Sequence, residues 1–336
     1  MHRQEPRNGL SPINTACRRN GSKLNRNVRS FPKILQLTKM KTPASTLAMA
    51  AILAACFTGC NTPQFSAKRD FEKTIPINSQ VDVNVQTFNG SITVTPTDQP
   101  EIYLVAHIKA YGYSQEEADT ALESLSPEID TTTTAITIAS KKRNQGLMNS
   151  DSVSLELKVP ASWPLHLTTS NGAVSTMQSR GPVTIETSNG KIEVKEAAGA
   201  LKLSTSNGKI LVENSAGNID ASSSNGSVHL IGCSLEGKCK LETSNGAISV
   251  NFSDRNPIRI DANTSNGSIK VKESDIDLKK KSKSHISGVL FGKGGDGATS
   301  ATLDLETSNG SITITTDSAS VEKSKTVREN SSSAVQ

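Results

Sequence analysis

Aromatic side chains are scarce, 3% of the chain with a single Trp, so a core of stacked rings is excluded. Apolar residues reach only 34%. They are mostly Val, Ile and Leu, which suits many short strands better than a helical bundle. No uncharged apolar run approaches the roughly 20 residues that cross a bilayer as a helix. A basic folded surface is lacking as well. The net charge of +5 is owed to residues 1–41, where ten Lys/Arg face only Glu5; beyond them 27 basic residues meet 31 acidic ones. A mildly acidic body argues against a nucleic-acid partner.

Histidine is sparse. His107, His166, His229 and His285 stand far apart, none with a second ligand at metal-binding spacing, so no metal or other cofactor is expected. Gly232-Cys233-Ser234-Leu235-Glu236-Gly237 has one residue too many for a nucleophile elbow. The stretch from Gly288 to Gly294 fails as a phosphate loop, and Gly294-Gly295-Asp296-Gly297 is a lone fragment of a calcium-binding repeat. No residue is assigned a catalytic role. Glu186, Glu242 and Glu306 share one repeat position, but Ser204, Ser222 and Asn263 stand there in intervening copies, so paired carboxylates are not expected.

The basic start is followed by Leu47–Ala55, uncharged, and then by Leu53-Ala54-Ala55-Cys56. Basic, apolar and small-residue segments in that order make an export signal. The Cys-terminated run resembles the lipobox of bacterial lipoproteins, which implies a lipidated Cys56, with Cys60 as the alternative. Met40-Lys41 makes a conventional start, leaving 1–39 as a leader or an over-extended reading frame. The expected order is leader 1–39, signal 40–55, tether 56–70, a β-rich cap with one helix 71–160, a repeat region 161–317 and a disordered tail 318–336.

Repetition is the strongest signal. Asn-Gly recurs at Asn171-Gly172, Asn189-Gly190, Asn207-Gly208, Asn225-Gly226, Asn245-Gly246, Asn266-Gly267 and Asn309-Gly310, with an outlier at Asn89-Gly90. Successive copies lie 18, 18, 18, 20, 21 and 43 residues apart, the last interval holding an insertion. Apolar residues alternate on both sides, as in Val183/Ile185 before and Ile192/Val194 after Asn189: strand, tight turn, strand, looser turn. Asn and Gly both tolerate positive φ, which suits a tight turn.

A meander of hairpins and a solenoid of stacked coils both satisfy the pattern. Equal periods and identical corners favour an all-β solenoid, β-helix-like, with coils of about 18 residues. Stacking would make neighbours of Thr184, Lys202, Asp220, Lys240, Asp261 and Asp304, the central four alternating in sign. Before the repeats, strands are read at Val81–Val85, Ser91–Thr95, Ile102–Ile108, Ile136–Ala139 and Val153–Val159, and a helix at Gln115–Leu125. Ser114 and Glu117 make a capping box for that helix. Cys233 and Cys239 bracket the place where the repeat lengthens, and are read as a disulfide or as two free thiols.

With the lipobox, the helix-bearing segment and the Thr-Ser-Asn-Gly corners, the chain resembles the putative-adhesin family of bacterial envelope proteins. That family is a domain of unknown function rich in Thr-Ser-Asn-Gly-x-Ile repeats. The segments Val159–Gly172 and Ile286–Gly297 carry the resemblance, which covers roughly 71–316. It implies a β-solenoid at the cell surface or in the periplasm. The expected function is therefore a lipid-anchored, non-catalytic binding or structural surface. Its partners would be the membrane, through the lipid, and an envelope or extracellular protein or glycan. The alternative is a secreted carbohydrate-active β-helix protein, a glycan binder or a lyase or hydrolase. The basic stretch Lys279-Lys280-Lys281 and Lys283, in the insertion Asp275–Thr302, could touch anionic lipid or glycan.

Overall fold

A computed structural model describes residues 65–77, 79–143, 150–272, 276–291, 299 and 301–316. The leader, the signal with Cys56, Cys60, the tail and Gly292–Gly297 lie outside the described residues.

The two strands that flank an Asn-Gly corner never pair with each other. Val183–Thr187 pairs in parallel with Leu165–Thr169 on one side and Leu201–Thr205 on the other. Beyond the corner, Ile192–Lys195 pairs in parallel with Val174–Met177 and Ile210–Glu213, in the second sheet. Each repeat is thus one rung shared between two twelve-stranded sheets, and the meander is excluded. Period-two patterning aims Val183, Ile185 and Thr187 inward while Glu186 faces solvent. The inward Val, Ile and Leu of both sheets join in one continuous core, each stabilising by about 1.5–3 kcal/mol.

Chain order is not stacking order. The first rung, Asp82–Gln86 with Ile92–Thr97, lies between Ala135–Ala139 with Ser152–Pro160 on one side and the rung of Leu165–Thr169 on the other. Asn89 is therefore a regular member of the stack. At the opposite end the last rung, Ala301–Thr307 with Ile312–Thr316, is inserted between Gly237–Thr243 with Ile248–Phe252 and Ile258–Thr264 with Ile269–Lys272. The insertion itself forms an antiparallel hairpin, Ile276–Lys281 and His285–Leu290, whose second strand pairs with Ile258–Thr264. The basic stretch of the insertion is largely strand.

Residues 65–70, assigned above to the tether, belong to the strand Phe65–Pro76, paired along its whole length with Glu101–Gly112. Its inward row includes Arg69 and Lys73, which hides the apolar alternation; Arg69 spends its charge on Leu122 O and Ser126 Oγ. A short strand at Glu128–Thr131 was also unread. The helix spans Gln115–Ser124. Ser114 Oγ accepts from Glu117 N at 3.1 Å, and Glu117 Oε2 accepts from Tyr113 N at 2.9 Å. Ala118, Ala121 and Leu125 bury its inner face. No helix of the described residues is long and apolar enough to cross a membrane.

Candidate functional site

The Asn-Gly corners stack into a seam. Asn171 Nδ2 donates to Asn89 Oδ1 at 2.6 Å, Asn189 to Asn171, Asn207 to Asn189 and Asn225 to Asn207, each at 2.7 Å. Asn245 continues to Asn225 at 2.9 Å, Asn309 to Asn245 at 2.8 Å and Asn266 to Asn309 at 2.9 Å. At the far end Asn89 Nδ2 donates to Asp151 O at 3.2 Å. Every amide of the ladder therefore points the same way along the stack.

Under the ladder, the last side chain of each first strand reaches the previous rung. Thr187 Oγ1 donates to Gly172 O, Thr205 to Gly190 O and Ser223 to Gly208 O, each at 3.2 Å. Glycine is required at these corners, but not for the reason expected. None of them has positive φ. A Cβ on Gly190 or Gly208 would stand 1.7 Å from the carbonyl oxygen of the glycine one rung before. Left-handed backbone sits at the looser turn instead, at Gln178, Glu196 and Asn214 with φ of 53°, 53° and 50°.

Beside the seam, residue order along the stack creates a groove that the chain order conceals. Glu242 is in register with Glu306 on the inserted last rung, and Ser222 lies on the other side of Glu242. The sequence reading kept these carboxylates apart. Insertion of the last rung makes them direct neighbours on parallel strands. The groove holds about 340 Å³ and is lined by both glutamates and by Ser and Thr hydroxyls from Ser204 to Ser308. Lys240 pairs with Glu242, which holds the ammonium above the usual lysine range. The expected outward column is in register, Thr184 with Lys202, Lys202 with Asp220, Asp220 with Lys240 and Lys240 with Asp304. Asp304 is then followed by Asp261, so the alternation ends there.

Cys233 and Cys239 are free, buried thiols rather than a disulfide. Each turns its sulfur to backbone carbonyls, Cys233 to Val212 O and Cys239 to Glu236 O. Burial pushes the Cys233 thiol up to about 11 and raises Cys239 too. Among the described residues no three His, Cys, Asp or Glu side chains are grouped to hold a metal. Burial, reinforced by Lys209, lowers the His229 pKa.

Two clusters escaped the sequence reading. On the strand Glu101–Gly112, His107 Nδ1 lies 2.8 Å from Asp70 Oδ1 and Nε2 lies 3.6 Å from Glu156 Oε1. The Asp70 hydrogen bond leads in raising its pKa. Arg143 Nε lies 3.0 Å from Asp151 Oδ2, and Asp151 is fully buried. Asp151 Oδ1 also accepts from Tyr111 N at 2.9 Å. Register across separate strands brings His107 to Asp70 and Glu156, whereas Arg143 and Asp151 lie outside strands, eight residues apart; no local motif signals either cluster.

No curated protein matches the chain. Solved structures that resemble it include a putative cell adhesion protein from Clostridium sporogenes, 12% identical, covering 75% of this chain and 100% of that one with a TM-score of 0.36. A putative adhesin from Parabacteroides distasonis is 12% identical, covering 74% and 97% with a TM-score of 0.34. One from Bacteroides fragilis is 10% identical, covering 76% and 98% with a TM-score of 0.30. The Toastrack DUF4097 family matches residues 35–315, and the chain belongs to it.

Proposed function

We propose that the chain is a lipid-anchored protein of the bacterial cell envelope, facing the periplasm or the exterior, whose solenoid of about 18-residue coils is a non-catalytic binding or structural surface. The anchor is Cys56, with Cys60 as the alternative, and the helix-bearing segment acts as a cap at the N-terminal end of the stack. One observation carries the reading: a continuous, solvent-facing seam of side-chain amides, repeated at strand spacing and fixed by inter-rung hydrogen bonds. A rigid polar array of that kind suits an extended polymer with its own repeat, such as a glycan.

The carboxylate pair Glu242 and Glu306 gives the carbohydrate-active alternative its one supporting feature. Glu242 is already engaged by Lys240 and partly open to water, and Glu306 is exposed, whereas a general acid depends on sequestration. Binding is therefore preferred over turnover. Two measurements test the reading. The intact mass of protein extracted from membranes should show an acylated N-terminal Cys56; a soluble, unacylated product would remove the anchor. A glycan array should register binding that Ser222→Arg abolishes. Polysaccharide cleavage lost in Glu306→Gln would replace the binding reading with the enzymatic one.

A further inference from the structure

Charge is segregated along the stack. Between residues 65 and 160, eight Lys/Arg face thirteen Asp/Glu; between 255 and 285, eight face four. These segments build opposite ends. Phe65–Pro76 and Ile269–Lys272 are the outermost strands of one sheet, Glu128–Thr131 and Ile276–Lys281 those of the other. At about 4.8 Å per strand, roughly 48 Å separates the entry strand Phe65–Pro76 from the basic end.

Elsewhere several lysines are used internally, while exposed ones such as Lys202, Lys209 and Lys238 are scattered along the stack. Lys191 and Lys195 hold Glu193, Lys195 also reaches Glu213, and Lys141 pairs with Glu128. At the basic end Lys270, Lys272, Lys279, Lys281 and Lys283 are all exposed, and none makes an ion pair among the described residues. Edge lysines discourage strand-on-strand aggregation. Five at one end, exposed and without an ion pair among the described residues although Asp261 and Asp304 line a pocket with Lys279, also give that end a basic surface.

We infer that the C-terminal end of the stack is a docking surface for a bilayer rich in anionic lipid headgroups, engaged through these five lysines. Lysine is a point charge on a flexible stem, suited to a headgroup layer rather than to forked recognition of one group. Residues 255–285 contain no Phe, Tyr or Trp to stack on a base or sugar ring. A long polyanion lying along the stack would meet the acidic remainder, whereas a membrane touched end-on meets the segment in which basic residues outnumber acidic ones. The inference does not depend on lipidation of Cys56.

The test is co-sedimentation of the mature, unlipidated chain, without the basic leader and signal of residues 1–55, with phosphatidylcholine vesicles, with and without phosphatidylglycerol. Binding is expected only with phosphatidylglycerol and should fall as salt rises. At about fivefold per lysine, Lys279→Glu/Lys281→Glu/Lys283→Glu should weaken it on the order of a hundredfold. The milder Lys270→Gln/Lys272→Gln should weaken it less, and Lys68→Glu/Lys73→Glu at the entry end should leave it nearly unchanged. Circular dichroism checks that each variant is folded. Equal binding to neutral vesicles, or undiminished binding by both basic-end variants, overturns the inference. So does retention on dextran sulfate without vesicle binding, which would mark a polymer site.

Discussion

At the scale of single residues, two glycine rules operate at the two kinds of corner, and they predict opposite outcomes. Gly208→Ala would push a methyl to 1.7 Å from Gly190 O, a backbone atom that both sheets hold in place. A loss of about 3 kcal/mol or more is expected from such overpacking. Glu196 holds φ of 53° without being glycine. Glu196→Gly relieves that strain but adds chain entropy, so its stability should stay within about 1 kcal/mol of the wild type. Urea unfolding of the two variants checks both; equal losses would contradict the division of roles.

The buried thiols predict a pH effect. Cys233 has a folded pKa of about 11, above the ordinary thiol value of 9.0. The unfolded chain therefore loses its proton first as pH rises. The contribution is complete below the unfolded pKa and is lost as pH climbs through the folded one. Between pH 8 and pH 10.5 the wild type should lose on the order of 2 kcal/mol more than Cys233→Ala. Parallel declines in urea midpoint would place the thiol in water.

Among elements, the Arg143–Asp151 pair joins the strand Glu101–Gly112 to the segment leading into Ser152–Pro160 and terminates the Asn ladder. Asp151→Ala removes the carboxylate from a largely buried guanidinium that keeps only polar partners such as Tyr111 O, and leaves the Tyr111 N–H without its acceptor, so a loss of about 3 kcal/mol is expected. Thermal unfolding measures it, and a change below 1 kcal/mol would show the pair to be dispensable. Individual strands were legible in the sequence wherever inward positions were apolar, as at Val183, Ile185, Ile192 and Val194. Phe65–Pro76 was not, because Arg69 and Lys73 occupy its inward row. The helix was legible through Ser114, whose hydroxyl has one local job. The corners were placed correctly but for an incomplete reason, since contact between rungs leaves no mark on a single repeat.

For the whole molecule, similarity of the repeats is what concealed the stacking order. Thr307-Ser308-Asn309-Gly310 fits against any other corner equally well, so local sequence cannot say which two rungs flank it. The 43-residue interval marked an insertion without showing that it is a hairpin that lets the last rung turn back inside. That insertion places Glu306 beside Glu242 and creates the groove on which the binding reading partly depends. Glu242 and Asn263, by contrast, are separated by the inserted strand. The most direct test is therefore oxidative cross-linking in a Cys233→Ala/Cys239→Ala background. Neighbouring in-register positions fall within the roughly 4.4–6.8 Å that a disulfide spans, and positions two strands apart do not. Glu242→Cys/Glu306→Cys should cross-link readily while Glu242→Cys/Asn263→Cys stays reduced. The reverse result would mean that the rungs stack in chain order, and the groove as described would not exist.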